Sequence, residues 1–505
     1  MNALTKSNET RDFVDLLWNY RLVLRDDLSS IDYIEQLTLL LVLKMAQEHA
    51  DRNDGRDATA PADLGWLTLL DADPEECNER YEMIVEELGR KRDSAVGLVF
   101  HGVQNKIRNT TSFKRLISDV IDKVNWSAMG VDIMGDVYEA LLLKGVDGKH
   151  GDGQYYTPRA LVDMMVNCVQ PEPDDTIVDP TSGTGGYLVA AHRYIAKNCD
   201  SNRIPEYLRR LRDGGIRGVE LVPSVARLAQ MNLLLHGMGS LNGRALIEVG
   251  DALTRPAEKV SLVLANPPFG RKYRHNSMDE VSRLVREDVG CDRTDTWVKT
   301  ANQQFNFVQH IANMLTIDGR AAVIVPDNVL FEGGAGEHIR RWLLRDFDVH
   351  TLLRLPAGIF YATGVRANVL FFDRKQVRAE GNWTSRLWVY DLRADQPVLP
   401  RRNLQDHHLD DFVKSYKPGA DRDQRTETER FRSFTLDELL ARDEVNLDIT
   451  WSRDHALDRG DGSQPPEEIA EEIADELRAA LSELQDVAEA LQRIKSEREN
   501  RAANP

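Results

Sequence analysis

The sequence predicts an α/β protein built on a doubly wound, mostly parallel sheet, with a helical region before the sheet and a long helix after it. Apolar runs typical of strands alternate with helical patterns from residue 176 to about residue 373, and this alternation is typical of parallel sheets covered by helices. A glycine-rich turn at 179–186 follows the first strand, and an Asn-Pro-Pro-Phe turn at 266–269 follows the fourth. Ligands bind where the strands of such sheets end, so both turns are candidates for a functional site.

Composition and charge limit the possible functions. The chain has 505 residues, of which 42% are hydrophobic and 29% are charged, as in an ordinary globular protein. The formal net charge of −18 argues against a nucleic-acid binder that works alone, because such proteins normally carry a basic surface. If the substrate is DNA, we expect another subunit to supply many of the DNA contacts, although a local basic surface is compatible with a negative net charge.

Cysteine usage and hydropathy indicate a cytoplasmic protein. The four cysteines are scattered without the spacing of metal ligands, so we expect neither a disulfide framework nor a metal site. The longest apolar run, residues 37–43, is too short to cross a bilayer. Residues 1–6 lack the basic and apolar segments of a signal peptide. We therefore expect a cytoplasmic location and no membrane contact.

Residues 1–145 are predicted to form a helical N-terminal domain. Ser29 and Ser30 are suited to cap a helix, and apolar residues recur three or four positions apart after them. The same spacing recurs in residues 113–121 and 134–142. The sequence of this region holds no catalytic constellation, so we favour a packing or docking role for it.

The α/β domain is predicted to span residues 146–400. It opens with a glycine-rich loop that ends at Thr157 and Pro158, which are suited to begin a helix. Strands are predicted at 176–178, 216–219, 245–249, 262–264, 321–325, 350–353 and 369–372, and helices between them include 223–236 and 305–316. A further apolar run, 387–390, is expected to pair antiparallel with the last of these strands.

The rest of the chain divides into two parts. Residues 401–465 are polar and are predicted to be an irregular C-terminal extension, and a long helix is predicted over 466–501. The apolar residues of this helix are spaced close to a heptad seam: Ile469, Ile473, Leu477, Leu481, Leu484, Val487, Leu491 and Ile494. The pattern does not decide between two interpretations. The helix could fold back on the core of its own chain or pair with a helix of a partner, because both arrangements need the same apolar stripe.

The turn formed by Asn266, Pro267, Pro268 and Phe269 carries the strongest chemical signal. Each proline fixes φ and removes an N–H donor, so the turn is stiff and offers mainly acceptors, among them the Asn266 side-chain oxygen. Phe269 adds a flat apolar face. The combination suits a planar ligand with an exocyclic amine, because two acceptors that bind the amine hydrogens would expose the nitrogen lone pair. A Pro-Pro turn that merely ends a strand is the alternative.

Acidic residues at three other strand ends indicate a single cleft. Asp179 opens the glycine-rich turn, Glu220 ends the second strand and Asp251 follows the third. Glu220 could accept hydrogen bonds from two ribose hydroxyls, and Asp251 could accept one from an adenine amine. The glycine turn matches neither the dinucleotide-binding nor the phosphate-binding pattern. One acidic residue at a strand end is usually a solvated loop residue, but three in succession are hard to explain as packing.

Together these motifs resemble the amino-type S-adenosylmethionine-dependent DNA methyltransferases, and more closely the modification (M) subunit of type I restriction–modification systems. The resemblance rests on Gly-Gln-Tyr-Tyr-Thr-Pro at 153–158, on Asp-Pro-Thr-Ser-Gly-Thr-Gly-Gly at 179–186 and on Asn-Pro-Pro-Phe at 266–269, in the gamma order of that family. It continues to residues 444–449 and so spans nearly the whole chain. One departure is Ala367, at a position where the family more often has threonine.

The resemblance implies the chemistry and the site. The sheet would be that of an S-adenosylmethionine-dependent methyltransferase, and the product N6-methyladenine, made by direct transfer to an adenine flipped out of DNA. The implied catalytic residues are Asn266, Pro267, Pro268 and Phe269. With the strand-end residues, the set expected to hold the cofactor is Gln154, Tyr155, Tyr156, Thr157, Pro158, Arg159, Asp179, Ser182, Gly183, Thr184, Gly185, Glu220 and Asp251.

The resemblance also implies partners. It implies a complex of two M subunits with one DNA-specificity subunit on double-stranded DNA, joined by a nuclease-translocase for restriction in phage defence. The helix at 466–501 would then dock the specificity subunit. Two alternatives stay open: a methyltransferase that acts on RNA or on a protein glutamine, since the turn at 266–269 suits any planar amide or amine, and a non-catalytic assembly subunit. The intact cleft residues argue against a non-catalytic assembly subunit.

Overall fold

The computed structural model describes residues 3–24, 28–52, 65–91, 94–126, 131–146, 157–269, 295–360, 366–376, 381–394 and 404–451. One compact unit covers Met1–Asp448 and a second covers Ile449–Pro505. The helix predicted at 466–501 lies outside the described residues, so it stays a prediction. No helix within these ranges is long and apolar enough to cross a membrane.

Helices make up the first part of the described chain. Ser29 caps one of them, as the sequence predicts, because its hydroxyl oxygen accepts the Asp32 N–H at 3.2 Å. The helices are α1 (Ala3–Tyr20), α2 (Ser30–Arg52), α3 (Trp66–Asp71), α4 (Pro74–Gly89), α5 (Ala95–Phe100), α6 (Thr110–Arg115) and α7 (Val131–Val146). The α2 helix buries apolar side chains three or four positions apart, including Ile34, Leu37 and Leu41, as an amphipathic helix should.

The described strands form one sheet of nine in the order β3-β2-β1-β4-β5-β7-β6-β8-β9. The strands are β1 (Ile177–Asp179), β2 (Ile216–Glu220), β3 (Ile247–Val249), β4 (Val260–Ala265), β5 (Leu315–Pro326), β6 (Phe347–Arg354), β7 (Ala367–Arg374), β8 (Arg386–Asp391) and β9 (Phe431–Thr435). From β3 to β5 all neighbours are parallel. The α/β class and the mostly parallel sheet are therefore confirmed.

The remaining described helices lie between and beside the strands, and two groups of them pack on the sheet. They are α8 (Arg159–Val169), α9 (Gly186–Asn198), α10 (Ile204–Arg212), α11 (Pro223–Leu235), α12 (Gln303–Met314), α13 (Asp327–Phe331), α14 (Ala335–Asp346), α15 (Asp406–Tyr416) and α16 (Leu436–Leu440). Alternate side chains of the central strands, such as Leu262, Leu264 and Ile324, share a core with α8, α9 and α15. The α12 and α14 helices pack on each other and on β5 and β6 respectively.

The C-terminal part of the sheet corrects two predictions. The sequence predicts the run at 387–390 beside 369–372, but β8 pairs parallel with β6 and antiparallel with β9. It also predicts an irregular extension at 401–465, but this segment contains α15, β9 and α16. Phe431 explains the error. It is fully buried and stacks on Trp388 with ring centroids 4.8 Å apart, so a short polar segment becomes a strand through tertiary packing.

The N-terminal helices share a core with the sheet domain through α11. Leu228, Met231 and Leu235 of α11 belong to the same apolar cluster as the side chains of α1 to α7. Within this interface Arg227 forms an ion pair with Glu35 of α2, and both side chains are only 10% exposed. The domain boundaries themselves stay a prediction, but the described helices α1 to α7 share one apolar core with α11.

We expect Glu35→Leu to destabilise the protein by about 3 kcal/mol, because the Arg227 guanidinium would stay buried without a carboxylate. Replacing both partners, with Glu35→Leu and Arg227→Met, should cost less, since the buried guanidinium is removed and Lys106, which also pairs with Glu35, keeps Asp32 as a partner. Thermal unfolding followed by calorimetry would measure this. The control is Glu86→Leu in the exposed pair with Arg90, which should change the melting temperature little. A double variant less stable than Glu35→Leu would contradict this expectation.

Candidate active site

The carboxyl ends of β2, β1 and β4 lie side by side and bring the predicted strand-end residues to one edge of the sheet. Asp179 ends β1 beside β2, and Glu220 ends β2 opposite Val249 of β3. The β4 strand pairs with β1 on its other side and leads directly into Asn266. Parallel strands end at the same edge, so the expected cleft wall is present as one row of residues.

The glycine-rich turn lies close against the sheet. Gly183 and Gly185 have φ of 51° and 83°, in the left-handed region that glycine adopts readily. The Ser182 N–H donates to the Val219 carbonyl at 2.9 Å. A Cβ atom added at Gly218 would lie 2.7 Å from the Ser182 Cβ, so β2 needs a glycine where the turn crosses it. The turn is thereby fixed at the start of α9.

Glu220 connects this turn to the strand edge. Its two carboxylate oxygens accept the Gly183 N–H at 3.0 Å and the Val222 N–H at 2.9 Å. Its side chain is buried, and burial raises the pKa of the carboxyl above its usual value. Beside it Leu221 is 61% exposed and Val249 36% exposed. These two apolar side chains were missed by the sequence analysis, and they offer a flat ligand ring a surface next to an acceptor.

Asp179 is the most deeply buried carboxyl of the edge. It is 1% exposed, and burial raises its pKa to about 7. One oxygen, Oδ1, accepts the Thr181 N–H at 2.9 Å. The other, Oδ2, is buried with no hydrogen-bond partner among the described residues. A buried acceptor without a partner is costly, so Oδ2 is suited to bind a donor from a ligand.

Asp251 has a mainly local role in the structure. Its Oδ1 accepts the Leu253 N–H at 2.8 Å and so caps a short 3-10 turn at Ala252–Thr254. The preceding Gly250 donates its N–H to the Glu220 carbonyl at 2.9 Å. The structure thus brings Asp251 next to Glu220, but with one carboxylate oxygen already engaged.

The upstream motif reaches the same edge through Thr157. Thr157 and Arg159 line a small cavity of about 40 Å³ together with Thr184 of the glycine turn. Pro158 precedes α8, and Arg159 opens the helix and forms ion pairs with Glu139 and Asp163. The remaining residues expected here, Gln154, Tyr155 and Tyr156, lie outside the described residues.

Asn266 is oriented by Thr157. Its Nδ2 donates to the Thr157 Oγ1 at 2.9 Å, while its Oδ1 is buried and has no partner among the described residues. Phe269 is held on two sides. Its ring meets Phe360 edge-on with centroids 5.2 Å apart, and its carbonyl oxygen accepts from Gln304 Nε2 at 2.7 Å. The turn therefore presents an unused amide oxygen beside an aromatic ring.

Two residues that contact this turn, Phe360 and Gln304, were not predicted from the sequence. Phe360 follows β6 and comes from a distant part of the chain, so local pattern alone could not place it. Gln304 could have been noticed as a polar residue in the first turn of α12, at a position that a helix facing the sheet would bury. Ala367, the departure from the family pattern, begins β7 and is buried in the apolar core against which Phe269 and Phe360 also pack.

Three side chains outside this edge have the chemistry of metal ligands: Asp136, Glu139 and His236. Arg193 forms an ion pair with Asp136 and donates to His236 Nε2 at 2.9 Å. Burial lowers the pKa of His236 to about 4, so the ring is neutral and accepts this hydrogen bond. The arginine already engages the groups that a cation would need, so we assign the cluster to packing between α7, α9 and α11.

Comparison with known proteins identifies relatives across the whole chain. The model of the N-6 DNA methylase family matches residues 129–454. The chain is 35% identical to the type I restriction enzyme EcoKI methylase subunit of Escherichia coli, over 94% of each chain. It is 34% identical to the type I restriction enzyme StySJI methylase subunit of Salmonella typhimurium, also over 94% of each.

The fold has close structural neighbours as well. A solved structure from a study of complex assembly and conformational transition in the type I R-M system matches with a TM-score of 0.69 at 22% identity. The match covers 97% of this chain and 98% of that chain. At this level of identity it supports the fold alone.

Proposed function

Because this chain belongs to the N-6 DNA methylase family and is the methylase subunit of a type I restriction–modification system, we propose that it transfers methyl groups at the edge formed by β1, β2 and β4. The chain is an adenine-specific DNA methyltransferase. These relatives do not favour the two alternatives. One is methyl transfer to RNA or to a protein glutamine, and the other is a non-catalytic assembly subunit. The open question is which residues do the chemistry.

One observation carries the assignment of the catalytic group: the Asn266 amide has its donor engaged by Thr157 and its acceptor free of partners among the described residues. Asn266 Oδ1 and the Pro267 carbonyl would accept the two N6 hydrogens of an adenine flipped from the duplex. These two hydrogen bonds would favour a pyramidal nitrogen whose lone pair is free to form the new N–C bond. The electron pair of the broken C–S bond would stay on the sulfur, and one N6 proton would leave to give neutral N6-methyladenine. Phe269 would stack on the base. Alignment and preorganised acceptors supply the rate.

The cofactor of this family, S-adenosylmethionine, supplies an electrophilic methyl on a sulfonium. The residues along β1 and β2 fit it. Glu220 would accept the ribose hydroxyls beside the exposed apolar side chain of Leu221, and Asp251 would accept from the adenine amine. Asp179 Oδ2, which has no hydrogen-bond partner among the described residues, would accept from the ammonium group. We include the upstream residues Gln154 to Arg159 in the same proposal.

We expect cofactor affinity to rise as the pH is raised from 5.5 to 7.5, because Asp179 has a pKa of about 7 in the free protein and must lose its proton to bind an ammonium group. A carboxyl whose pKa is raised is neutral below that pKa, so binding releases a proton at low pH. Titration calorimetry in two buffers of different ionisation enthalpy measures this proton release. In Asp179→Asn the pH dependence should become much weaker, with only the neighbouring Glu220 carboxyl, whose pKa is also raised by burial, left to contribute. Proton release as large as in the wild type would contradict the role of Asp179.

The partners belong to the proposal as well. A net charge of −18 is unfavourable for a protein that binds DNA alone, which supports a separate subunit that supplies DNA contacts. We propose two copies of this chain with one DNA-specificity subunit, docked through the helix predicted at 466–501, and a nuclease-translocase that joins for restriction. Its place of action would be the cytoplasm, where the DNA substrate is reached without crossing a membrane.

The test is transfer of a tritiated methyl group from S-adenosylmethionine to DNA, with the chain alone and with its specificity subunit, followed by nucleoside analysis. We expect N6-methyladenine only when the partner is present. Transfer by the chain alone would overturn the proposal of borrowed specificity. No labelled adenine under either condition, with cofactor binding demonstrated, would overturn the assignment of the site.

A further inference from the structure

Gln304 contacts the Asn-Pro-Pro-Phe turn from a separate helix. It is 4% exposed and lies in the first turn of α12. Its Nε2 donates to the Phe269 carbonyl at 2.7 Å. Asn302 caps the helix by accepting the Gln304 N–H at 3.0 Å. The amide that holds Phe269 is therefore itself held at the capped end of a helix that packs on β4 and β5.

The turn depends on donors from outside. Pro267 and Pro268 have no N–H, so they cannot donate to other parts of the turn. A hydrogen bond to the Phe269 carbonyl from another part of the chain adds a restraint that the prolines cannot supply. Gln304 supplies such a donor at Phe269, at the end of the turn opposite to the one where Thr157 holds Asn266.

We propose that Gln304 is a positioning residue for methyl transfer. With its carbonyl held by Gln304 and its ring against Phe360 at 5.2 Å, Phe269 has both its main chain and its ring fixed. Because the two prolines between Asn266 and Phe269 make the turn stiff, a fixed Phe269 also restrains the positions of the Pro267 carbonyl and of Asn266. Gln304 touches neither base nor cofactor in this role. The inference rests on the function proposed above.

The same helix offers a matched control. Asn313, near the other end of α12, donates from Nδ2 to the Asp295 carbonyl at 2.5 Å. It makes the same kind of bond to a main-chain oxygen as Gln304, but at the opposite edge of the sheet from the turn. A general effect of weakening α12 would therefore appear in Asn313→Leu as well as in Gln304→Leu.

The experiment compares Gln304→Leu, Gln304→Glu and Asn313→Leu with the wild-type chain, each assembled with the specificity subunit on its DNA. We expect Gln304→Leu to lower kcat by about 10–100-fold, since a small displacement of a reacting group has effects of this size. The dissociation constant for S-adenosylmethionine should change by less than about threefold, because the residues that hold it are untouched. Asn313→Leu should keep kcat near the wild-type value.

Gln304→Glu adds a second measurement, the pH dependence of kcat, which would not change if Gln304 only stabilised the fold. A protonated carboxyl can donate to the Phe269 carbonyl and a carboxylate cannot, and burial raises the pKa of such a group. The ratio of wild-type to variant kcat should therefore fall as the pH is lowered from 8.5 to 6. For Gln304→Leu the ratio should stay constant across this range.

Three outcomes would overturn the inference: wild-type kcat in Gln304→Leu, parallel loss of kcat and cofactor binding, or a ratio for Gln304→Glu that does not depend on pH. Failure of the proposed function would look different, because the wild-type complex itself would then form no N6-methyladenine.

Discussion

Asn266→Ala should abolish methyl transfer and leave the cofactor bound. The variant removes an amide oxygen of the turn that is buried without a hydrogen-bond partner among the described residues. Loss of a preorganised group that stabilises a transition state typically costs about 10²–10³ in kcat. Here the side chain also aligns the amine, so we expect a loss of at least about 10³. Single-turnover transfer of tritiated methyl to DNA would measure it.

The cofactor provides the internal control for this variant. Asn266 donates a hydrogen bond to one of the proposed cofactor residues, Thr157. The substitution leaves Asp179, the glycine turn and Glu220 unchanged, so the dissociation constant for S-adenosylmethionine should stay within about threefold of wild type. Asn266→Asp is informative as well. It keeps an acceptor but loses the donor to Thr157, so an intermediate rate is expected. Normal turnover by Asn266→Ala would show that the nitrogen is activated elsewhere.

Glu220→Gln should weaken cofactor binding by about 100-fold or more with little change in the overall fold. Hydrogen bonds to a charged group contribute about 1.5–3 kcal/mol each, and the carboxylate is proposed to accept from two ribose hydroxyls. The variant also places an NH₂ group against the N–H of Gly183 or Val222, both of which now donate to Glu220. Part of the loss would therefore come from a displaced glycine turn.

Titration calorimetry with S-adenosylmethionine measures the affinity, and the melting temperature reports on the fold. Glu258→Gln serves as the control, since Glu258 is an exposed partner of Arg217 with 68% of its side chain accessible. It should bind the cofactor as the wild type does. If Glu220→Gln bound the cofactor with unchanged affinity, the ribose contact would have to lie elsewhere along the edge.

The main features of the fold and of the site can be predicted from the sequence for a physical reason. A parallel sheet buried on both faces leaves near-continuous apolar runs, and strands such as β4 and β5 show them clearly. The polar residues that follow these runs meet at one edge whatever the helices between them do. The parallel direction of the strands is therefore enough to place Asp179, Glu220 and Asn266 at one edge, and the spatial order β2-β1-β4 makes them neighbours.

Tertiary contacts decide what the sequence cannot predict. The β9 strand exists because Phe431 packs on Trp388, and nothing in residues 431–435 alone requires a strand. Phe360 and Gln304 reach Phe269 from the segment after β6 and from α12, at separations of 91 and 35 residues in the numbering. The hydrogen bond that orients Asn266 joins residues 109 apart. Local periodicity carries no information about such pairs.

The core shared by the N-terminal helices and α11 has a consequence for synthesis of the chain. Leu228, Met231 and Leu235 complete the apolar cluster of helices that begins near residue 14. A ribosome that has made only the first 146 residues has therefore produced helices whose buried face is still open. Domains generally fold as units as they emerge, but this region must wait for about 90 further residues. An isolated 1–146 fragment should accordingly expose the apolar surface that α11 covers in the full chain, and it should aggregate.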